Sequence, residues 1–150
     1  MSEPVAKRTR VQHIGNTMVP RAITLAVAAM AVHYGSDCSG MDGAAFGLQY
    51  NDVNFAHRFG CEVDNAFRKV FQALHPTCIE TFSDITDRDF GDFKRFVGVN
   101  VYTAGFPCQP FSAAGLGLGQ HDEAGRGLVV WWVITTIATI LPWVFVLENV

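Results

Sequence analysis

Apolar and polar residues alternate along this chain in two patterns, one typical of strands and one typical of helices. Short apolar runs predict five strands, at residues 32–38, 58–62, 77–82, 99–104 and 143–147. Segments with apolar residues three or four positions apart predict four helices, at residues 44–50, 65–74, 89–96 and 128–141. Strands that alternate with helices indicate an α/β domain with a parallel sheet, which binds ligands at the carboxyl ends of its strands.

Two long apolar stretches each have a competing interpretation. Residues 22–32 are apolar enough for the core of a signal peptide, but 21 residues precede them, and Pro20 suits the first turn of a helix. We therefore expect a helix there. Residues 127–147 carry no charged side chain over about the length that spans a bilayer. Because Pro142 interrupts this stretch, we expect a buried helix followed by a central strand that is covered on both faces.

Composition and charge narrow the classes of function. Of 150 residues, 49% are apolar and 17% are charged, and the formal net charge is −3. This balance excludes a disordered tail and a strongly basic nucleic-acid clamp, so a polyanionic partner must be held by local contacts or by another chain. The four cysteines form no Cys-x-x-Cys pair, which argues against a zinc site and favours a reducing compartment, cytoplasmic or nuclear, over secretion.

A glycine-rich turn follows the first predicted strand and contains Ser39, Gly40 and Gly43. Glycine at such a turn permits positive φ and lets a ligand approach the backbone, although many such turns only pack tightly. Glu62 ends the next strand, 22 residues after Gly40, where a carboxylate can accept hydrogen bonds from both hydroxyl groups of an adenosine ribose. It is otherwise a solvated carboxylate. Together the turn and Glu62 favour an adenosine-containing cofactor, a class that includes NAD.

The next two strand ends carry further candidate residues. Asp84 can accept a hydrogen bond from an adenine amino group while Ile85 covers the ring, but Asp at this position is equally typical of a helix cap. The fourth strand leads to Cys108, which lies between Pro107 and Pro110. Two prolines hold the sulfur in a fixed position, and a thiolate there is a nucleophile if a positive environment lowers its pKa. A buried, inert cysteine is the alternative.

The segments Pro107-Cys108-Gln109 and Glu148-Asn149-Val150 resemble, in order, two catalytic motifs of the C5-cytosine methyltransferases. The resemblance implies a Rossmann-like fold that uses S-adenosyl-L-methionine to methylate cytosine in DNA. Cys108 would attack the base and Glu148 would act at its N3 atom, with Pro107 and Gln109 completing the nucleophile's motif. The resemblance places the cofactor site at Ser39, Gly40, Gly43, Glu62, Val63, Asp84 and Ile85.

A further match lies near the start of the chain. Residues 12–20, which include Asn16 and Thr17, resemble the motif that usually ends these enzymes and closes over the cofactor. The resemblance therefore implies a circularly permuted member of the family. Residues 1–31 would form a basic leader, this motif and a helix, and residues 32–150 would form a partial catalytic domain. The alternative is a basic, disordered leader.

The chain also departs from the family pattern. Cys38 stands where the family has Phe, which removes a ring that would cover the adenine. Asp42 stands where the family has glycine, and its carboxylate would either repel the cofactor's methionine carboxylate or pair with its ammonium group. The family's later arginine motif and its target-recognition domain have no counterpart in these 150 residues.

Three functions stay open at this point. The chain can be the catalytic half of a DNA methyltransferase, as in restriction-modification, completed by a C-terminal part or by a second polypeptide that supplies the arginine and reads DNA. It can instead be an inactive cofactor-binding remnant or a regulatory subunit. It can also modify tRNA, because the Pro107-Cys108-Gln109 segment is similar to that of the RNA-modifying branch.

Overall fold

The computed structural model describes residues 31–108 and 126–149 of the chain. They form five strands, β1 (Val32–Asp37), β2 (Phe55–Cys61), β3 (Thr81–Phe82), β4 (Val101–Gly105) and β5 (Val144–Glu148). Four α-helices connect them, α1 (Gly43–Tyr50), α2 (Asn65–Leu74), α3 (Phe90–Phe93) and α4 (Val129–Ile140). Short 3-10 helices at Lys94–Phe96 and Arg126–Leu128 follow α3 and precede α4. The predicted order of strands and helices is confirmed.

All five strands run parallel in one sheet with the order β3-β2-β1-β4-β5. From the central β1 the chain first moves outward to β2 and β3, and it then returns to the other side for β4 and β5. Right-handed crossovers therefore place α1 and α2 on one face of the sheet and α4 on the other. The direction reverses between β1 and β4, and the carboxyl ends of these two strands border the crevice where such sheets bind ligands.

Aspartates begin the first three helices. The side chain of Asp42 accepts a hydrogen bond from the backbone N–H of Ala45, and that of Asp64 accepts from Ala66 and Phe67. Asp89 does the same for Gly91 at the start of α3. A carboxylate at this position satisfies free N–H groups and interacts favourably with the helix dipole. The caps explain why α1 starts directly after the glycine-rich turn and α2 directly after the end of β2.

The core joins β2 and β4 to α3 and α4 and is largely aromatic. Phe59, Phe93 and Tyr102 are almost completely buried. The ring centroid of Phe59 lies 4.9 Å from that of Phe93, and the two rings meet edge to face, an arrangement that aromatic rings prefer. Gly35 on β1 makes room for this packing, because a Cβ there would overlap the ring of Phe59. The core thus fixes the strands whose ends carry the candidate residues.

The position of β5 corrects one prediction. We expected a central strand covered on both faces, but β5 lies at an edge of the described sheet, and all five of its residues are exposed. Trp143, directly before it, is exposed as well. A continuous apolar run indicates that both faces of a strand avoid water, but it does not identify the element that covers them. The existence of the strand was therefore predictable and its place in the sheet was not.

Other elements differ in length from their predictions, most of all β2, β3 and α3, which ends at Phe93 and continues as a 3-10 helix over Lys94–Phe96. β2 begins at Phe55, three residues before the predicted start, because His57 occupies an interior position despite its polar side chain. β3 has only two residues, although the backbone N–H of Ile79 still donates to the carbonyl of His57 on β2. In the described part of the chain, none of the helices has both the length and the apolar character that crossing a membrane requires.

Candidate active site

Two adjoining cavities open at the carboxyl ends of the strands. The larger, of about 650 Å³, lies above β2, β3 and α4, and the smaller, of about 290 Å³, lies between the glycine-rich turn and the ends of β4 and β5. Cys38 and Gly105 line both. Volumes of this size are typical of small-molecule sites. Predicted site residues line the larger cavity (Glu62, Val63, Asp84, Ile85 and Pro107) and the smaller one (Ser39, Gly43 and Glu148).

The glycine-rich turn is held by its own backbone and by β2. Gly40 has φ +53°, a conformation that glycine adopts without strain, and a Cβ at that position would meet only open space. The Ser39 hydroxyl donates to the carbonyl of Cys61 and accepts from the backbone N–H of the same residue, both at 3.1 Å. Its hydroxyl therefore fastens the turn to β2, so Ser39 contributes to a ligand site chiefly by shaping it.

The Asp42 carboxylate points into the protein. It accepts hydrogen bonds from the Tyr34 hydroxyl at 2.6 Å and the Ser36 hydroxyl at 2.8 Å, besides capping α1. Asp42 is only 3% exposed, and burial together with this carboxylate raises the pKa of Tyr34. Both expectations for Asp42, repulsion of a cofactor carboxylate or pairing with its ammonium group, assumed a side chain aimed at the ligand. Asp42 is among the residues that line the smaller cavity, but its carboxylate is occupied by these internal partners and supports the turn.

His57 lies beside this carboxylate in the interior. Its Nε2 is 3.4 Å from Oδ2 of Asp42, and its ring centroid is 5.4 Å from that of His75. Burial lowers the pKa of His57 to about 4, and the neighbouring His75 lowers it too, although Asp42 acts in the opposite direction. The histidine is therefore neutral at physiological pH and packs as an aromatic ring between Tyr34 and Phe71.

Glu62 connects the glycine-rich turn with the larger cavity. Its Oε2 accepts from the backbone N–H of Gly40 at 2.7 Å, and its Oε1 accepts from that of Asp64 at 2.9 Å. Each carboxylate oxygen offers two acceptor sites, so both oxygens retain capacity for a ligand hydroxyl. The geometry combines an oriented carboxylate with a glycine N–H at the edge of a cavity.

Asp84 and Ile85 lie together on the wall of the larger cavity. Oδ1 of Asp84 accepts from both the backbone N–H and the hydroxyl of Thr86, each at 2.8 Å, which is the cap-like turn considered from the sequence. The other carboxylate oxygen takes no part in this turn. Ile85 is buried and presents an apolar side chain to the same space. An acceptor beside an apolar surface suits a flat heterocyclic ring with an amino group.

The loop that carries Cys108 is tied to the end of β5. The side-chain amide of Asn149 donates to the carbonyl oxygens of Phe106 at 3.0 Å and Pro107 at 3.4 Å. Cys108, which follows, is half-buried. Glu148 pairs with Gly105 across β4 and β5, and a Cβ at position 105 would lie 3.4 Å from its Oε2. The Cys108 loop therefore follows β4 and lies next to the end of β5. Pro107 lines the larger cavity and Glu148 lines the smaller one, whereas Cys108 is not among the lining residues of either.

The thiols of Cys38 and Cys61 line the larger cavity as neutral groups. Burial raises the pKa of Cys38 to about 12, and the neighbouring Asp37 contributes in the same direction. Burial also raises the pKa of Cys61. Thiols in this state behave as small apolar side chains, and neither is suited to act as a nucleophile. All four cysteines are unpaired, and no metal-binding group of three His, Cys, Asp or Glu side chains occurs within residues 31–108 and 126–149.

A buried ion pair below the site was not identified from the sequence. Both terminal nitrogens of Arg88 bind the carboxylate of Asp37, at 2.6 and 2.8 Å, and Nη1 also donates to the hydroxyl of Thr136 on α4. The Tyr102 hydroxyl donates to the same carboxylate. The network joins the end of β1, the segment after Asp84 and α4. No sequence pattern marks Arg88, because its partner lies 51 residues away.

Some predicted features cannot be placed. Gln109, Asn16 and Thr17 lie outside the described residues, as do the leader and the motif on which the permutation rests. A third cavity, of about 690 Å³, lies at the opposite ends of the strands, and none of the predicted site residues lines it. The candidate chemistry is therefore concentrated at the carboxyl ends of the sheet.

Known proteins are similar to this chain in sequence. The chain is 36% identical over 113 residues to the type II methyltransferase M.NgoBI of Neisseria gonorrhoeae and 33% identical over 114 residues to M.NaeI of Lentzea aerocolonigenes. These matches cover 75% of this chain but only 32% and 26% of the two relatives, so the chain spans about a third of their length or less.

A structural neighbour supports the Rossmann-like methyltransferase fold. The crystal structure of the S. pombe Dnmt2 methyltransferase superposes with a TM-score of 0.61 at 15% identity, over 81% of this chain and 35% of that one. The sequence model of the C-5 cytosine-specific DNA methylase family matches residues 36–150, which include the glycine-rich turn and both segments that resemble catalytic motifs. This chain therefore belongs to the C-5 cytosine-specific DNA methylase family.

Proposed function

We propose that this chain forms the cofactor-binding and catalytic part of an enzyme that methylates C5 of cytosine in DNA. The observation that carries the proposal is the attachment of the Cys108 loop to the end of β5 through Asn149. This attachment holds the loop of the proposed nucleophile next to the strand end that carries Glu148. Membership of the family supports the use of S-adenosyl-L-methionine, whose sulfonium supplies the methyl group when it is bound.

We assign the larger cavity to the adenosine part of this cofactor. The Glu62 carboxylate would accept from the ribose hydroxyls, and Asp84 would accept from the adenine amino group beside Ile85. Val63 lines the same space. The smaller cavity, with Ser39, Gly43 and Glu148, leads from the glycine-rich turn toward the ends of β4 and β5. We place Asn16 and Thr17 over the cofactor by resemblance to the closing motif of the family.

The proposed reaction begins at the thiol of Cys108. As a thiolate it attacks C6 of the cytosine ring and forms a carbon–sulfur bond, which makes C5 nucleophilic. Glu148 in its protonated form donates to N3 and stabilises the negative charge that develops on the ring. C5 would then take the methyl group that the bound cofactor supplies, and the cofactor would leave as the neutral thioether S-adenosylhomocysteine. A base removes the proton from C5, the bond to Cys108 breaks, and the aromatic ring is restored. Because C6 is inaccessible inside a duplex, the target base must be flipped out.

The covered share of the relatives sets the scope of this proposal. Because the chain spans about a third of their length or less, we assign the remaining parts of the reaction to a C-terminal part or to a second polypeptide. These parts are the arginine motif and the reading of the DNA sequence. The modest net charge of −3 agrees with DNA being bound mainly by that other part. The four unpaired thiols favour a reducing compartment.

Two measurements test the proposal. Titration calorimetry with S-adenosylhomocysteine, the product form of the cofactor, is expected to show binding by the 150-residue chain, and NAD is expected to show none. In the full protein, 5-fluorocytosine DNA with S-adenosylmethionine is expected to trap a covalent adduct at Cys108, because fluorine at C5 prevents the final elimination. Cys108→Ser is the control for that adduct, and Cys78→Ser, which alters a thiol outside both cavities, should still form it.

The outcomes separate the alternatives. Cofactor binding without an adduct would favour a non-catalytic or regulatory protein. An adduct with 5-fluorocytosine RNA but not with DNA would indicate that the substrate is tRNA. Binding of NAD with no response to the methionine-derived ligand would reject the class of enzyme.

A further inference from the structure

The larger cavity, which we assign to adenosine, has one aromatic side chain among its described lining residues, and that side chain belongs to α4. Trp132 lines this cavity on the first turn of the helix, next to Leu128 and Val129. The neighbouring wall is formed by Ile85 and by the neutral thiols of Cys38 and Cys61. Position 38, where the family has Phe, therefore offers only a small sulfur-containing side chain.

The indole of Trp132 is held by a second ring. Phe90, at the start of α3, stacks on it with a centroid distance of 5.5 Å and an interplanar angle of 16°. Phe90 covers one face of the indole, so Trp132 meets the cavity with its other face or its edge. Either one supplies the apolar surface that a purine ring prefers, in an offset-stacked or an edge-to-face arrangement. Phe90 lies five residues after Ile85, so the ring that supports the indole and the apolar side chain proposed to cover the adenine belong to the same segment of the chain.

We propose that Trp132, backed by Phe90, is the aromatic residue that packs against the adenine of the cofactor, in place of the ring that is missing at position 38. The inference rests on the proposed function, since it assigns a residue to the adenosine part of that same site. Trp132 would thus determine affinity for the adenine-containing part of the ligand while Cys108 and Glu148 act at the other end. Its indole is half-buried and reaches the cavity, whereas that of the adjacent Trp131 is 51% exposed and does not line it.

Binding of S-adenosylhomocysteine to the 150-residue chain tests this assignment. Trp132→Leu is expected to weaken binding by about 10- to 100-fold, the range for loss of one stacking contact with a base. Trp132→Phe should restore most of the affinity, because a smaller ring still offers a flat surface. Trp131→Leu is the matched control on the same helix and should bind like the unmodified chain.

A second measurement does not depend on how well Trp132→Leu folds. The chain has three tryptophans, so the double variant W131F/W143F leaves Trp132 as its only indole. Saturating S-adenosylhomocysteine is expected to change the fluorescence of this variant, while free methionine should leave it unaltered.

The results distinguish failure of this inference from failure of the proposed function. If the unmodified chain binds S-adenosylhomocysteine but Trp132→Leu binds equally well, or if the fluorescence of the double variant does not respond, Trp132 is not the adenine contact and the proposed function still stands. If the unmodified chain does not bind the ligand at all, the proposed cofactor site fails, and the assignment of Trp132 fails with it.

Discussion

The side-chain amide of Asn149 donates to the backbone carbonyl of Phe106 at 3.0 Å, across the ends of two adjacent strands. Asn149 directly follows Glu148, and Phe106 lies two residues before Cys108. The end of β5 therefore carries two groups that can be altered separately. One residue supplies a carboxylate, and the next fixes the backbone of the loop that holds the thiol.

The first prediction concerns the hydrogen bonds from Asn149 to Phe106 and Pro107. Asn149→Ala removes the donor to Phe106 and Pro107, so the Cys108 loop becomes free to move relative to β5. A displacement of about 1 Å at a reacting group can lower a rate by about 100-fold. We expect the rate of adduct formation at Cys108 to fall by about 10- to 100-fold, with unchanged affinity for S-adenosylhomocysteine.

Asn51→Ala is the matched control for this variant. Its amide also donates to a backbone carbonyl, that of Gly47, but at the exposed end of α1. The control should keep the full adduct rate. Equal rates for the unmodified protein and Asn149→Ala would show that the tie does not position the nucleophile.

The second prediction concerns Glu62. Glu62→Gln keeps the shape of the side chain but replaces one carboxylate oxygen by an NH₂ group, which faces a backbone N–H of Gly40 or Asp64 instead of accepting from it. Hydrogen bonds to charged groups contribute about 1.5–3 kcal/mol. Calorimetry should therefore show an affinity for S-adenosylhomocysteine that is lower by about 10- to 100-fold.

Glu80→Gln tests whether loss of any nearby carboxylate has this effect. Glu80 pairs with Arg95 at the surface, away from both cavities, so its substitution should leave cofactor affinity unchanged. A Glu62→Gln variant that binds as tightly as the Glu80→Gln variant would contradict the role given to Glu62.

These two predictions concern residues that were identified from the sequence. There is a physical reason why such residues can be recognised before the structure is known. Glu62 and Cys108 follow strands, and the carboxyl ends of parallel strands meet at one edge of a sheet whatever the details of packing. The direction of a side chain is different information. Asp42 turns inward because Tyr34 and Ser36 donate to it, and neither partner is recognisable before the turn is folded. The indole of Trp132 likewise lines the larger cavity only through the packing of α4 against α3.

The third prediction is a dependence of stability on pH. The folded-state pKa of His57 is about 4, below its ordinary value of about 6.5, so the unfolded chain binds this proton first as the pH falls. Stability is therefore lost between about pH 6.5 and pH 4, and no further loss from this group follows below that range. We expect its contribution to lower the free energy of unfolding by about 2–3 kcal/mol across this range, measured by urea denaturation at several pH values.

His57→Leu should remove this part of the pH dependence, because the protonation that costs stability no longer occurs. His33→Leu is the control, since His33 lies outside the cluster of Tyr34, Asp42, His57 and His75. Only the difference between the two variants is diagnostic, because carboxylates titrate in both. Parallel pH profiles for the two variants would contradict a buried, neutral His57.

The last prediction concerns the ion pair of Asp37 and Arg88, both of which are buried. Arg88→Met leaves the Asp37 carboxylate in the interior with no opposite charge beside it. Removing one partner of a buried pair costs about 3–5 kcal/mol, because the remaining charge stays desolvated. Urea denaturation should show a loss of this size in the free energy of unfolding. Arg95→Met removes a cation from the exposed pair with Glu80 and should cost less than about 1 kcal/mol.

A double variant separates the charge from the packing. In D37N/R88M the interior holds no uncompensated charge, while the Tyr102 hydroxyl keeps a polar partner at position 37. The double variant should therefore be more stable than Arg88→Met alone, although it has lost both members of the pair. If the double variant is less stable than Arg88→Met alone, or if Arg88→Met costs no more than Arg95→Met, the charge of Arg88 does not hold the segment after Asp84 to β1.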